Sequence, residues 1–252
     1  MARAHRARVM MPALSWWQWA LGMACGFLMG VAKTGVPGLG IMVVPLMVLV
    51  VGDARLSAAW LLPILCTADV FALWYWRRHA AASKLFSLAP WVLAGIVLGA
   101  AALSLNERVL RPIVGTIVLL MLLAFLYRRA RPDAGIGATF TAPYGIAAGF
   151  ATTVANAAGP VMNIYLLRKR LPKEEFIAMG AWFFFLVNLA KIPIYTWHGM
   201  FSKQSLMFGA AAAPAVFVGA VTGRWVIDHI SGRVFELLVV MLTAGSTILL
   251  FR

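Results

Sequence analysis

Asp69 and Lys191 stand well within otherwise apolar stretches of this chain, and Lys33 stands at the end of another. A charged side chain at the centre of a bilayer costs at least about 2.5–3.5 kcal/mol on insertion scales, so each should face a partner or a wet cavity. Lys33 opens the run Lys33-Thr34-Gly35-Val36-Pro37-Gly38-Leu39-Gly40, which lies between a long apolar segment and a short one. Glycine permits unusual backbone angles and proline stops a helix, so this run predicts a broken helix. Unwound backbone at membrane depth is tolerated only inside protein or along a wet cavity. A helix restarting near Gly38–Ile41 would aim free N–H groups at that cavity, and Lys33 would add a full cation. The combination suits an anion. The alternative is a surface turn with Lys33 reaching out to water.

A second break, Asn156-Ala157-Ala158-Gly159-Pro160, precedes another short apolar run. Asn163 lies just beyond it, placed either to donate to a bound oxyanion or to hydrogen-bond freed carbonyls. Asp69 and Lys191 sit well within full-length segments, with Asn188 one turn before Lys191 on the same face. An Asp69–Lys191 pair would serve either proton or substrate gating or the joining of two halves. The charge-bearing candidates are therefore Lys33, Asp69, Asn188 and Lys191. The break candidates are Thr34, Gly35, Pro37, Gly38, Gly40, Asn156, Gly159, Pro160 and Asn163.

The elements that must position these residues follow from composition. The 252 residues are 63% hydrophobic and only 12% charged, with mean hydropathy +0.88. Soluble domains carry about 25% charged residues, so a water-soluble globule is excluded. Net charge is +14. The cations are scattered between apolar runs, which points to a bilayer and away from nucleic acid. Eight segments have about the length of a membrane span: Leu14–Ala32, Ser57–Trp76, Leu85–Leu103, Val109–Tyr127, Phe140–Ala155, Glu175–Thr196, Ser205–Val226 and Val234–Phe251. Ile41–Val51 and Pro160–Leu167 are about half as long as a span needs. Trp16, Trp17, Trp19, Trp74, Trp76, Trp197 and Trp225 stand at segment ends, where interfacial aromatic belts are expected. Leu14–Ala32 is too long for a signal-peptide core and is read as a retained helix, with Met10 and Met11 as alternative starts.

An internal repeat organises the chain. At a shift of 123, Gly22 falls on Gly145, Gly26-Phe27 on Gly149-Phe150, Val31-Ala32 on Val154-Ala155, and Pro37 on Pro160. At 119, Asp69 falls on Asn188, His79 on His198, and Ser83-Lys84 on Ser202-Lys203. At 124, Pro90 meets Pro214, and Gly95 and Gly99 meet Gly219 and Gly223. Each half holds five segments, the second one short, with Arg128–Gly137 as the join. Loops after odd-numbered segments hold 12 cations, including Arg168, Lys169, Arg170 and Lys173; the even loops and C-terminus hold 5. An odd number of segments per half turns the second half upside down, and the positive-inside rule places the 12-cation side in the cytoplasm. Arg3, Arg6 and Arg8 conflict with that orientation unless the start is later or the first crossing behaves differently from its partner. The expected fold is all-α: a polytopic integral membrane protein with inverted repeats at residues 1–130 and 131–252.

The four-residue glycine spacing at Gly22, Gly26 and Gly30, and at Gly95 and Gly99, suits close helix packing. Cys25 and Cys66 have no CxxC spacing and suit small buried positions. No nucleotide-binding, zinc-protease or serine-hydrolase motif is present, so neither an enzyme nor ATP-driven transport by this chain is expected, and no cofactor or metal is called for.

Gly26-Phe27, then Lys33 through Gly40, then Val43-Val44-Pro45-Leu46, resemble the TauE/SafE sulfite exporter family. The resemblance spans nearly the whole chain and is most specific in the first half. That family's usual Gly-Gly-Gly core is replaced here by Pro37-Gly38-Leu39-Gly40 and by Asn156–Pro160, and Tyr165-Leu166 stands where its second Pro-Leu would fall. The resemblance implies a duplicated, multi-pass protein of a bacterial inner membrane that moves a small sulfur-containing or organic anion. Its partners would be that anion, the lipid bilayer and, through Asp69, coupling protons; nucleic acid is not among them. An anion channel on the same scaffold and a membrane assembly factor are the alternatives.

Overall fold

The computed structural model describes residues 12, 14–79, 87–102, 107–130 and 141–249. Arg3, Arg6, Arg8, Met10, Met11, Ser83-Lys84 and most of the Arg128–Gly137 join lie outside them. Every regular element among the described residues is helical. In chain order the α-helices are α1 Trp16–Thr34, α2 Gly40–Val51, α3 Ala54–Trp76, α4 Ala89–Ala102, α5 Glu107–Ala130, α6 Thr141–Ala155, α7 Ala158–Arg168, α8 Lys173–Trp197, α9 Lys203–His229 and α10 Gly232–Leu249. A short 3₁₀ turn, Arg77–His79, follows α3. Among the described residues, three helices have both the length and the hydropathy of a membrane span: α3 over Leu56–Trp76, α8 and α9. The two short helices after the breaks hold 12 and 11 residues.

Local chemistry sets several boundaries. Asp53 caps α3 by accepting from the Leu56 N–H at 2.7 Å, and Ser202 caps α9 by accepting from the Ser205 N–H at 3.0 Å. α2 ends at Gly52, which is left-handed with φ of 81°. Lys173 satisfies the last turn of α9 by donating to the Ile227 and Ile230 carbonyls at 2.7 and 2.9 Å. Gln18 of α1 donates to the Val50 carbonyl at 2.8 Å, tying the start of α1 to the end of α2.

Among the described residues the most extensively packed helix pairs are α1 with α9 and α4 with α6. Their glycines explain why. A Cβ on Gly30 or Gly35 of the first segment would strike backbone of α9, and one on Gly219 would strike the Phe27 carbonyl. In the other pair, a Cβ on Gly95 or Gly149 would meet the facing backbone in the same way. Lipid provides little hydrophobic drive between helices, so this close backbone approach supplies the packing energy.

Thr34 reinforces the first pair. It is fully buried, and its hydroxyl lies 3.0 Å from the Gly30 carbonyl and 2.8 Å from the Ala220 carbonyl of α9. Thr34→Val removes the link to α9 while keeping the shape. Thermal unfolding in detergent should show a loss of about 1 kcal/mol; an unchanged midpoint would assign the α1–α9 contact to the glycines alone.

The tryptophans divide. Trp16, Trp74, Trp197 and Trp225 are exposed, as a lipid-interface belt requires. Trp76 is not part of that belt. It is 1% exposed, and its Nε1–H donates to the Thr34 carbonyl at 3.0 Å, capping the end of α1. Trp19 packs on Phe208 with ring centroids 5.4 Å apart. Position at a segment end marks a tryptophan for the interface only when no neighbouring helix covers it.

Candidate functional site

α1 continues through Thr34, beyond the Ala32 end expected from hydropathy. That extension turns Lys33 inward. Gly35 then presses on Gly223, and the chain reverses through Gly38, whose φ of 108° excludes most side chains. α2 starts at Gly40. The second break is tighter. α6 ends at Ala155, Asn156 follows as a left-handed residue with φ of 50°, and α7 begins at Ala158. Asparagine tolerates that conformation because its short amide hydrogen-bonds locally.

The two breaks face one cavity of about 80 Å³. A site needs roughly 10–15 Å³ in the same measure to hold one water, so several waters or one compact ion fit. Of the residues singled out above, Lys33, Pro37, Gly38, Gly40, Asn156, Gly159, Pro160, Asn163, Asn188 and Lys191 line it. Thr34 and Gly35 do not. Their side of α1 is consumed by contact with α9. Asp69 is not on the cavity wall either, but stands directly behind it, bonded to two wall residues.

The expected Asp69–Lys191 pair is not formed. Asp69 Oδ1 lies 2.6 Å from Lys33 Nζ, and its Oδ2 accepts from Asn188 Nδ2 at 2.6 Å. Asp69 is fully buried, and the Lys33 side chain is 10% exposed. Lys33 Nζ also lies 3.9 Å from the centroid of the Phe184 ring, a cation–π contact in a desolvated setting. Lys191 points to α6 instead: its Nζ donates to Thr152 Oγ1 at 3.2 Å and to Asn156 Oδ1 at 2.5 Å. The physical reason is reach. Helical spacing places Asn188 and Lys191 on one face, but only the offset between helices decides which of them meets Asp69. Asn188 does, and Lys191 lies one turn further along, opposite α6.

Two networks therefore share the cavity. One runs Lys33–Asp69–Asn188 and joins α1, α3 and α8. The other runs Lys191–Asn156–Thr152 and joins α8 to the end of α6. Asn156 Nδ2 is buried without a hydrogen-bond partner among the described residues. Asn163, 3% exposed, donates from Nδ2 to Thr243 Oγ1 at 3.3 Å, a long bond that leaves capacity toward the cavity. Apolar walls come from Met29, Leu61, Leu65, Met162, Phe176 and Phe184. The arrangement can hold a small anion: two cations, amide N–H groups and two helix starts converge on a space that water or an ion would fill.

Phe184 and Thr152 were not singled out from the sequence. Thr152 could have been found, because it lies one turn before Asn156 on the same helix face. Phe184 is one of three consecutive phenylalanines, and nothing in that run distinguishes it.

A family model described as Sulfite exporter TauE/SafE matches residues 19–250. No curated protein and no solved structure matches the chain.

Proposed function

Because the chain belongs to the TauE/SafE sulfite exporter family, a family of membrane transporters, we propose that it is a secondary transporter exporting a small sulfur-containing anion, such as sulfite or an organosulfonate, from a bacterial cytoplasm across the inner membrane. The anion binds in the cavity between the two breaks. Lys33 and Lys191 bring cationic groups to its wall, Asn156 and Asn163 orient, and Asp69, the acid held between Lys33 and Asn188, carries any coupling proton.

The observation that carries this reading is the pairing of the cavity wall. Under the sequence registers of 123 and 119, Met29 matches Thr152, Lys33 matches Asn156, Pro37 matches Pro160, Gly40 matches Asn163, Leu61 matches Gly180, and Leu65 matches Phe184. Both members of each pair line the cavity. The packing exchanges in the same sense. The first helix of each half lies on the fourth of the other, α1 on α9 and α6 on α4, while α3 meets α8. This supports two inverted repeats, residues 1–130 and 131–252, around a central site, the arrangement from which rocking gives alternating access. The loop cations then put Arg168–Lys173 in the cytoplasm.

Gly159 supplies the test. It lines the cavity, and a Cβ there meets nothing within 4 Å. Gly159→Leu should therefore fill the space while leaving the fold intact. In proteoliposomes loaded with sulfite, wild-type protein should show trans-stimulated uptake, and Gly159→Leu should reduce it at least about tenfold, a barrier change of roughly 1.4 kcal/mol or more. Wild-type flux in Gly159→Leu would remove this cavity from the transport path.

A further inference from the structure

The two networks differ in charge. Lys33 and Asp69 form an ion pair at 2.6 Å through Oδ1, and Oδ2 accepts from Asn188. One cation against one carboxylate makes the pair neutral as a unit, on whichever of the two the shared proton rests. Lys191 has no carboxylate partner among the described residues. It is fully buried, its two hydrogen-bond partners are the neutral oxygens of Thr152 and Asn156, the Tyr195 ring lies 5.9 Å away, and a third ammonium hydrogen remains for a ligand. The repeat does not duplicate it: the register of 119 places the buried, neutral Ala72 at its counterpart position. The charged groups on the wall or bonded to it among the described residues are Lys33, Lys191 and Asp69; with Asp69 unprotonated and both lysines protonated they leave a single positive charge.

Resting on the transporter reading, we propose that this site selects compact anions carrying one negative charge, and that Lys191, rather than Lys33, is the cation they neutralise. A monoanion beside Lys191 brings the buried cluster to zero. A dianion leaves one negative charge without a partner in a low-dielectric cavity with apolar walls, where an unpaired charge is strongly disfavoured. Asn156 Nδ2, buried and unpartnered, lies on the residue that Lys191 already holds, and gives the anion a neutral second donor.

The test is competition in proteoliposomes loaded with sulfite, measuring trans-stimulated uptake against external methanesulfonate and nitrate, whose charge is fixed at one, and against sulfate and thiosulfate, whose charge is fixed at two near neutral pH. The monoanions should compete at least about tenfold better than the dianions. Lys191→Gln should lose competition by all four, and Lys191→Arg should keep the monoanion preference. Dianions competing as well as or better than monoanions would overturn the charge selection while leaving the transporter reading standing. Monoanion competition unchanged in Lys191→Gln would overturn the role of Lys191. Liposomes with wild-type protein showing no more sulfite uptake than empty ones would overturn both readings together. The wild-type comparison decides the charge selection even if a lysine variant fails to fold.

Discussion

Asp69→Ala is expected to lower the thermal unfolding midpoint in detergent by roughly 6–20 °C, the equivalent of about 3–5 kcal/mol. The cost comes from what the substitution leaves behind more than from the pair itself. Lys33 is only 10% exposed and would be left beside the Phe184 ring with no counter-ion, and Asn188 Nδ2 would lose its acceptor. Removing one member of a buried pair exposes the full desolvation cost of the other, whereas replacing both with apolar groups of similar volume is often neutral. The double variant Lys33→Met with Asp69→Leu should therefore recover most of the loss. A double-mutant cycle on unfolding midpoints measures the coupling. Additive losses would show that Lys33 and Asp69 act independently and would remove the pair as the link between α1 and α3.

Gly30→Leu is expected to abolish folded protein in membranes, seen as loss of the monodisperse peak in size-exclusion chromatography. A Cβ at Gly30 would collide with the Val216 carbonyl and the Ala220 nitrogen of α9. Backbone cannot move aside as the end of a flexible side chain can, so the two helices must separate along their length. Overpacking costs about 1–3 kcal/mol where side chains can give, and more is expected against backbone. Separation would also break the hydrogen bond from Thr34 to Ala220 and pull Lys33 away from Asp69, since all sit on the same helix. Gly159→Ala, at a position with open space around it, serves as the control and should fold as wild type. A well-folded Gly30→Leu protein would show that α1 and α9 do not approach as closely as their glycines require.

The two predictions probe different parts of the molecule that meet at Thr34. Its hydroxyl reaches α9 and its carbonyl receives Trp76 from α3. The residue before it carries the cavity's paired cation. The membrane packing and the charge network are therefore one mechanical unit, with the end of α1 as its centre. Motion between α1 and α3 would act directly on the Lys33–Asp69 pair.

Much of this was legible in the sequence. Composition alone required a membrane protein, because 63% hydrophobic residues cannot be hidden inside 252 residues of soluble fold. The glycine and proline breaks showed where helices stop, since backbone preference there is a local property of residue type. The scarcity of internal charge singled out Lys33, Asp69 and Lys191, because lipid tolerates so few. The matching order of residues in the two halves also paired Pro37 with Pro160, and both line one cavity.

Partner choice was not legible. Asp69 lies on a helix face compatible with either lysine, and it is the extension of α1 to Thr34 that brings Lys33 within 2.6 Å. Lys191 is turned toward Asn156 by the offset of α8 against α6, a distance along helix axes that no local spacing encodes. Trp76 left the interfacial belt, and Thr34 and Gly35 left the cavity, for the same reason: each is claimed by a neighbouring helix. Periodicity states which residues share a face, because the helix repeat is a property of a single segment. Which face meets which, and at what height, is set by how whole helices pack, and only the tertiary structure decided that.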